Sequence, residues 1–147
     1  MTGPENRRHV YLPAGDWVDF WTGEVHAGGR HLRVHRPLDR FPLFVRYGAL
    51  IPVAPPADRV GDGPFTDVTV LSFGATDASA VVHDVDGDTT IRAARSGDEF
   101  RVEVDGPLAV TGLALAPVDG ARPPRRLLLD GSATVAGTLD GLPTVRG

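Results

Sequence analysis

The chain has 147 residues, and its size and composition already exclude several classes of protein. A catalytic (β/α)₈ barrel does not fit, because that fold takes roughly 250 residues. The formal net charge of -4 and the lack of a concentrated Arg or Lys face argue against a nucleic-acid partner. The absence of cysteine excludes disulfides and thiolate chemistry. An apolar fraction of 41% and a charged fraction of 23% are typical of a folded globular protein.

The N-terminal residues 1–6 are polar and predict a disordered start. They lack the apolar core of a signal peptide, and no apolar run in the chain reaches the roughly 18 residues that indicate a membrane span. We therefore expect no membrane partner and a cytoplasmic location.

Short apolar and polar alternations, separated by glycine and proline, predict an all-β protein. Residues 31–35 are the clearest case, since Leu32 and Val34 share one face while the residues between them share the other. No stretch has the 3.6-residue apolar period of a helix with caps. The predicted strands cover 9–12, 17–21, 31–35, 43–47, 68–73, 80–84, 89–93, 100–105, 109–115 and 126–129.

A stretch rich in proline and glycine, residues 54–64, interrupts the alternation and predicts a domain boundary. We expect two small antiparallel β-sandwich or barrel-like modules on either side of it. The first covers 7–55, the linker covers 56–64, and the second module covers 65–147.

Residues 10–53 carry a long ordered set of aromatic, glycine and proline positions. In order, these are Tyr11-Leu12-Pro13 with Gly15, the aromatics Trp17, Phe20 and Trp21, then Thr22-Gly23, Gly28-Gly29, Pro37-Leu38-Asp39, and Pro42 with Phe44 to Ala49 before Ile51-Pro52. The order resembles the segment that directly follows the catalytic barrel in glycoside hydrolase family 31, the α-glucosidases and α-xylosidases. Residues 82–88, VHDVDGD, are similar to a strand and acidic turn of the distal β-domain in these enzymes, although the family more often has an aromatic at His83.

The resemblance implies a non-catalytic C-terminal region of a carbohydrate-metabolising glycosidase. In this family the barrel supplies the nucleophile and the acid/base carboxylate, and no position here corresponds to either, so we predict no catalytic residue and no cofactor. The expected partner is the family 31 barrel, which would make the parent protein, but not this fragment, an O-glycosyl hydrolase. The run 42–52 is more apolar than a small module needs, and the predicted barrel-packing residues are Phe41, Phe44, Tyr47, Leu50 and Ile51.

An alternative hypothesis is a free-standing carbohydrate-binding module. Tyr11, Trp17 and Trp21 could stack on the apolar faces of α-glycosides, and the two tryptophans are in phase on one predicted strand. Large aromatics are also the ordinary filling of a small β-core. The sequence leaves both interpretations open.

Acidic residues give two further candidates. Asp16, Asp19 and Glu24 surround the Trp17 strand, but Asp16 and Asp19 are expected on opposite faces and do not form a convergent hydrolytic pair. Asp84, Asp86 and Asp88 alternate around Gly87 and are a weak candidate for a hard cation such as Ca²⁺, with a hairpin turn as the competing interpretation.

The five histidines lie at positions 9, 26, 31, 35 and 83. None accompanies a recognisable nucleophile motif. His31 and His35 share a strand face but are roughly 13 Å apart, too far for one metal ion. We therefore predict no metal site at the histidines.

Overall fold

The chain forms β-strands throughout the residues that the computed structural model describes, namely 7–35, 41–55, 61, 63–137, 139 and 142–144. Within them the strands are β1 (Arg7–Leu12), β2 (Asp16–Asp19), β3 (Val25–Ala27), β4 (Arg30–His35), β5 (Phe44–Arg46), β6 (Leu50–Val53), β7 (Val68–Ser72), β8 (Asp77–Asp84), β9 (Gly87–Ser96), β10 (Glu99–Asp105), β11 (Val110–Leu115), β12 (Arg126–Leu129) and β13 (Ser132–Thr134). The predicted all-β class is confirmed.

The strands form four sheets. A two-stranded ribbon pairs β1 with β4, and a three-stranded sheet has the order β3-β2-β5. A second three-stranded sheet has the order β11-β7-β6, and a five-stranded sheet has the order β13-β12-β10-β9-β8. Most pairings are antiparallel, but β7 pairs with β11 and β10 pairs with β12 in parallel, which alternation in the sequence does not distinguish.

The sheet β11-β7-β6 is the middle layer of the fold. One of its faces meets the five-stranded sheet in a first core, to which Val70, Ile91 and Phe100 contribute. Its other face meets the sheet β3-β2-β5 in a second core. Strand β7 reads VTVLS and is buried at four of its five positions because it is covered on both sides.

The second core joins residues from both sides of the predicted linker. Val18 and Phe20, which come before the predicted linker, pack with Leu71 and Phe73, which come after it. The rings of Phe20 and Phe73 are 5.9 Å apart between centroids. Burial of these side chains therefore depends on both parts of the chain.

Backbone pairing also crosses the predicted boundary. Strand β6 pairs antiparallel with β7, and the Asp119 N–H donates to the Gly23 carbonyl at 2.8 Å. Most of the predicted linker 56–64, the predicted disordered start 1–6 and the turn at 37–39 lie outside the described residues. The division into two modules remains a prediction, and the described strands on its two sides share one sheet.

Strands β3, β6 and β13 were not predicted. Strand β6 contains Pro52, which cannot donate to a ladder, and it is tolerated because β6 lies at the edge of its sheet. The prediction of one strand over 17–21 was too long, since β2 ends at Asp19.

Candidate functional site

Segment 41–47, which contains β5, exposes two of the aromatic side chains that the sequence singled out. Phe41 is 72% exposed and Tyr47 is 42% exposed. Leu43, which was not among the predicted site residues, is 44% exposed between them. Leu43 precedes β5 and lies two residues from the buried Val45, so strand alternation predicts the same face for both and does not identify Leu43 as exposed.

Hydrogen bonds fix the backbone of segment 41–47 at both ends. The Trp21 indole N–H donates to the Phe41 carbonyl at 2.9 Å, and the Phe20 N–H donates to the Leu43 carbonyl at 2.9 Å. At the other end, the Tyr47 N–H donates to the Asp16 carbonyl at 2.9 Å. The exposed side chains are therefore presented from an ordered backbone.

The other predicted barrel-packing residues are less accessible. Phe44 is half-buried and meets the His26 ring edge-on, with 5.8 Å between centroids. Leu50 is 8% exposed and belongs to the first core. Ile51 is half-buried against the second core. Among the five predicted residues, Phe41 and Tyr47 offer the most surface to a partner.

Trp17 is half-buried, and its indole is engaged within the chain. Its N–H donates to the Pro13 carbonyl at 2.8 Å. The Arg46 guanidinium lies 5.4 Å from the ring centroid, an arrangement that favours a cation–π interaction. Arg46 stands directly opposite Trp17 on β5, so one face of the indole is near a charged side chain.

Trp21 and Tyr11 do not lie on the same strand as Trp17. Trp21 lies in the turn after β2, half-buried, with its ring edge-on to Phe20 at 5.0 Å. Tyr11 is 57% exposed on the β1–β4 ribbon, tilted against His31 at 5.0 Å. Sugar stacking by these aromatics remains a prediction.

Asp19 explains why β2 ends before Trp21. Its carboxylate is 1% exposed, and Oδ1 accepts hydrogen bonds from the Trp21 N–H at 2.9 Å and the Thr22 N–H at 3.2 Å. These bonds turn the chain out of the sheet. Asp16 is exposed at the start of the same strand, and Glu24 lies beside His26 at 3.7 Å.

The acidic turn between β8 and β9 is held by local hydrogen bonds. The two Asp84 oxygens accept from the Val85 N–H at 2.7 Å and the Phe65 N–H at 2.9 Å. Asp88 pairs with the His83 Nδ1 at 2.6 Å, and Asp86 is exposed. Across the part of the chain that the structure describes, no three His, Asp or Glu side chains are grouped to hold a metal ion.

Sequence reasoning did not single out the outer face of the five-stranded sheet. A depression of about 670 Å³ lies there, lined by residues 77–79 of β8, residues 92–94 of β9, and Arg101 and Glu103 of β10. Strand alternation predicts which residues of each strand face outward. Which of these residues become neighbours depends on the register between the strands, which alternation does not determine. None of the described residues forms a helix long and apolar enough to cross a membrane.

Comparison with known proteins identifies a matching family model and related sequences. The model of the glycosyl hydrolase family 31 C-terminal domain matches residues 1–51. "Alpha-glucosidase 2" of Bacillus thermoamyloliquefaciens is 34% identical over 107 residues, which cover 71% of this chain and 13% of that protein. "Alpha-xylosidase" of Saccharolobus solfataricus is 53% identical over 47 residues, covering 31% of this chain and 6% of that protein.

A solved structure extends the likeness in fold to nearly the whole chain. The cycloalternan-forming enzyme from Listeria monocytogenes, solved in complex with its pentasaccharide substrate, matches 95% of this chain with a TM-score of 0.60 and 23% identity. The match covers 14% of that enzyme, so the chain spans a small part of such proteins. The resemblance seen in residues 10–53 is confirmed, because residues 1–51 match the C-terminal domain of glycosyl hydrolase family 31.

Proposed function

We propose that this chain is a non-catalytic support for the (β/α)₈ barrel of a family 31 α-glucosidase or α-xylosidase. The observation that carries the proposal is segment 41–47, which exposes Phe41, Leu43 and Tyr47 from a hydrogen-bonded backbone. Exposed apolar side chains gathered on one segment mark a surface that gains free energy when it is covered. The segment lies within residues 1–51, the part matched by the family model.

The described carboxylates near this segment support a non-catalytic role. Retaining hydrolysis needs two carboxyl groups about 5–5.5 Å apart and open to substrate. Asp19 is buried and its Oδ1 accepts two backbone N–H groups, while Asp16 is exposed at the other end of β2. One of the two is therefore committed to holding the turn.

A binding experiment tests the support role. The purified chain would be mixed with a family 31 catalytic domain from which its own C-terminal region has been removed, and complex formation followed by size-exclusion chromatography with light scattering. We expect a complex, and we expect the double variant Phe41→Ser/Tyr47→Ser to lose it. The matched control is Val135→Ser, since Val135 is 73% exposed but far along the sequence from segment 41–47.

Two results would contradict the proposal. One is a complex that the double variant still forms as well as the unmodified chain does. The other is turnover of an aryl α-glucoside or aryl α-xyloside by the purified chain alone, which would make it an enzyme in its own right.

A further inference from the structure

The depression on the outer face of the five-stranded sheet is built from two rows of residues that the register aligns across β8, β9 and β10. Asp77, Ala94 and Arg101 form one row, and Ser79, Arg92 and Glu103 form the next. Ala94 is the small residue in the middle of its row and leaves the floor open. Asp77 and Arg101 stand on opposite sides of it, about 10 Å apart between Cα atoms, because strands are spaced by about 4.8 Å.

The opposite face of the same three strands is locked in the first core. Ala78, Ala93 and Val102 form the row that alternates with the outer one, and all three pack in that core. The backbone that carries the outer side chains is thereby fixed. The depression is a preformed feature of the sheet rather than a loop surface.

Most of the polar side chains around the depression make no hydrogen bond or ion pair with other described residues. Among the described residues, Asp77, Ser79, Arg92 and Glu103 have no hydrogen bond or ion pair from their side chains. Arg92 and Glu103 are directly opposite each other and still form no ion pair. Arg101 donates one N–H to Glu99 at 2.9 Å, which leaves further guanidinium donors for a ligand.

The charges around the depression balance. Asp77 and Glu103 are anionic, and Arg92 and Arg101 are cationic, so a ligand of one charge sign meets repulsion from two of the four. A neutral ligand rich in hydroxyl groups meets no such repulsion. Each of its hydroxyls can donate to a carboxylate or accept from a guanidinium, and these charge-assisted bonds are the stronger kind.

We propose that this depression binds a neutral oligosaccharide. A volume of about 670 Å³ lies within the range of ligand sites, roughly 300–1,000 Å³. The proposal goes beyond the support role, since it concerns another sheet and requires no barrel. It also differs from stacking on Trp17 or Trp21, because the depression is lined by polar residues and alanines and by no aromatic residue.

Amide chemical shifts of the ¹⁵N-labelled full chain test the proposal. Titration with maltotriose and, separately, isomaltotriose is expected to shift the amides of β8, β9 and β10 around Ala94 in a saturable manner. Arg92→Ala is expected to weaken binding about tenfold, because a charged hydrogen-bonding partner is lost. Ala94→Phe, which fills the floor, is expected to abolish it.

Controls separate binding from folding. Arg33→Ala removes an exposed arginine from the middle of β4 on the ribbon, and binding is expected to stay unchanged. The thermal midpoint of each variant is compared with that of the unmodified chain, since the substituted side chains lie outside the core.

Several outcomes would overturn the inference. These are an absence of saturable shifts with either sugar, shifts confined to the surroundings of Trp17 and Trp21, and equal weakening by Arg33→Ala. Tighter binding of a zwitterionic dipeptide such as Lys-Glu than of either trisaccharide would also overturn it. Failure of the chain to bind a barrel would leave this result unaffected, so the two proposals fail separately.

Discussion

The two outer layers of the fold differ in what they present to solvent. Segment 41–47, which contains β5 of the sheet β3-β2-β5, exposes apolar side chains such as Phe41 and Tyr47. The five-stranded sheet exposes charged and polar side chains such as Arg92 and Glu103 on its outer face. Covering the first surface with a protein partner would lower its free energy, whereas the polar side chains of the second surface are well solvated by water. The middle sheet β11-β7-β6 packs against both, so the difference in surface does not imply independent halves.

The largest effect is expected from Phe73→Ala, which tests whether the layers unfold together. Phe73 is 1% exposed in the second core, and its truncation should lower the free energy of unfolding by about 3–5 kcal/mol. Urea unfolding would be followed by tryptophan fluorescence, which reports on Trp17 and Trp21, and by far-ultraviolet circular dichroism. Both transitions are expected to shift together, and Phe41→Ala should change them by less than about 0.5 kcal/mol. A fluorescence transition that stays in place would indicate independent modules.

Gly23→Ala tests the contact between the turn after β2 and the loop after β11. Gly23 has a φ of +81°, and an added Cβ would lie 2.5 Å from the Pro117 carbonyl oxygen. The left-handed backbone costs an alanine about 1–2 kcal/mol, and the clash with a backbone atom adds about 1–3 kcal/mol.

Gly29→Ala is the matched control for that variant. Gly29 has a φ of +73° and nothing within 4 Å of the added Cβ, so only the backbone term applies. Thermal unfolding of the two variants gives the difference. Equal midpoints would mean that the loop after β11 yields freely and does not hold the layers together.

Asp19→Ala is expected to have an intermediate effect that is local to segment 41–47. Removing the carboxylate leaves the Trp21 and Thr22 N–H groups without their acceptor, at a cost of about 1–3 kcal/mol. Asp19→Asn keeps an oxygen acceptor and should cost less. Because the Trp21 indole donates to Phe41, the alanine variant should also shift the Phe41 region in an amide spectrum. Equal stability of the two variants would show that the acceptor is unimportant.

The smallest effect is expected when tryptophan fluorescence is followed during titration with maltotriose. The Trp17 indole already donates to Pro13 and lies beside Arg46, and Trp21 packs on Phe20, so we expect no change. The amides around Ala94 should shift in the same titration. Saturable quenching would instead favour the stacking hypothesis, in which the sugar binds at Trp17 or Trp21 and not in the depression around Ala94.

Local alternation in the sequence was enough to predict the β class and most strands. Residues 31–35 and 100–105 alternate cleanly because one face of each is covered and the other is open to water. The early end of β2 was missed because it depends on the Asp19 carboxylate turning inward to hold the next two N–H groups, which the residue type alone does not reveal.

The arrangement of the sheets could not be predicted from the sequence. Alternation does not distinguish parallel from antiparallel neighbours, so the pairing of β7 with β11 was not foreseen. The candidate surfaces divide in the same way. Phe41 and Tyr47 were identified by their chemistry, but the row of Asp77, Ala94 and Arg101 exists only through the register of three strands.

The central position of β7 has a consequence for synthesis on the ribosome. Its neighbours are β6, which is made before it, and β11, which begins at Val110 and is made about forty residues later. Until β11 emerges, one edge of β7 has no hydrogen-bonding neighbour, and both faces of β7 are incompletely covered. Such a pause with an open apolar strand favours aggregation, so a holding chaperone should raise the soluble yield of the chain, and slower translation should lower it.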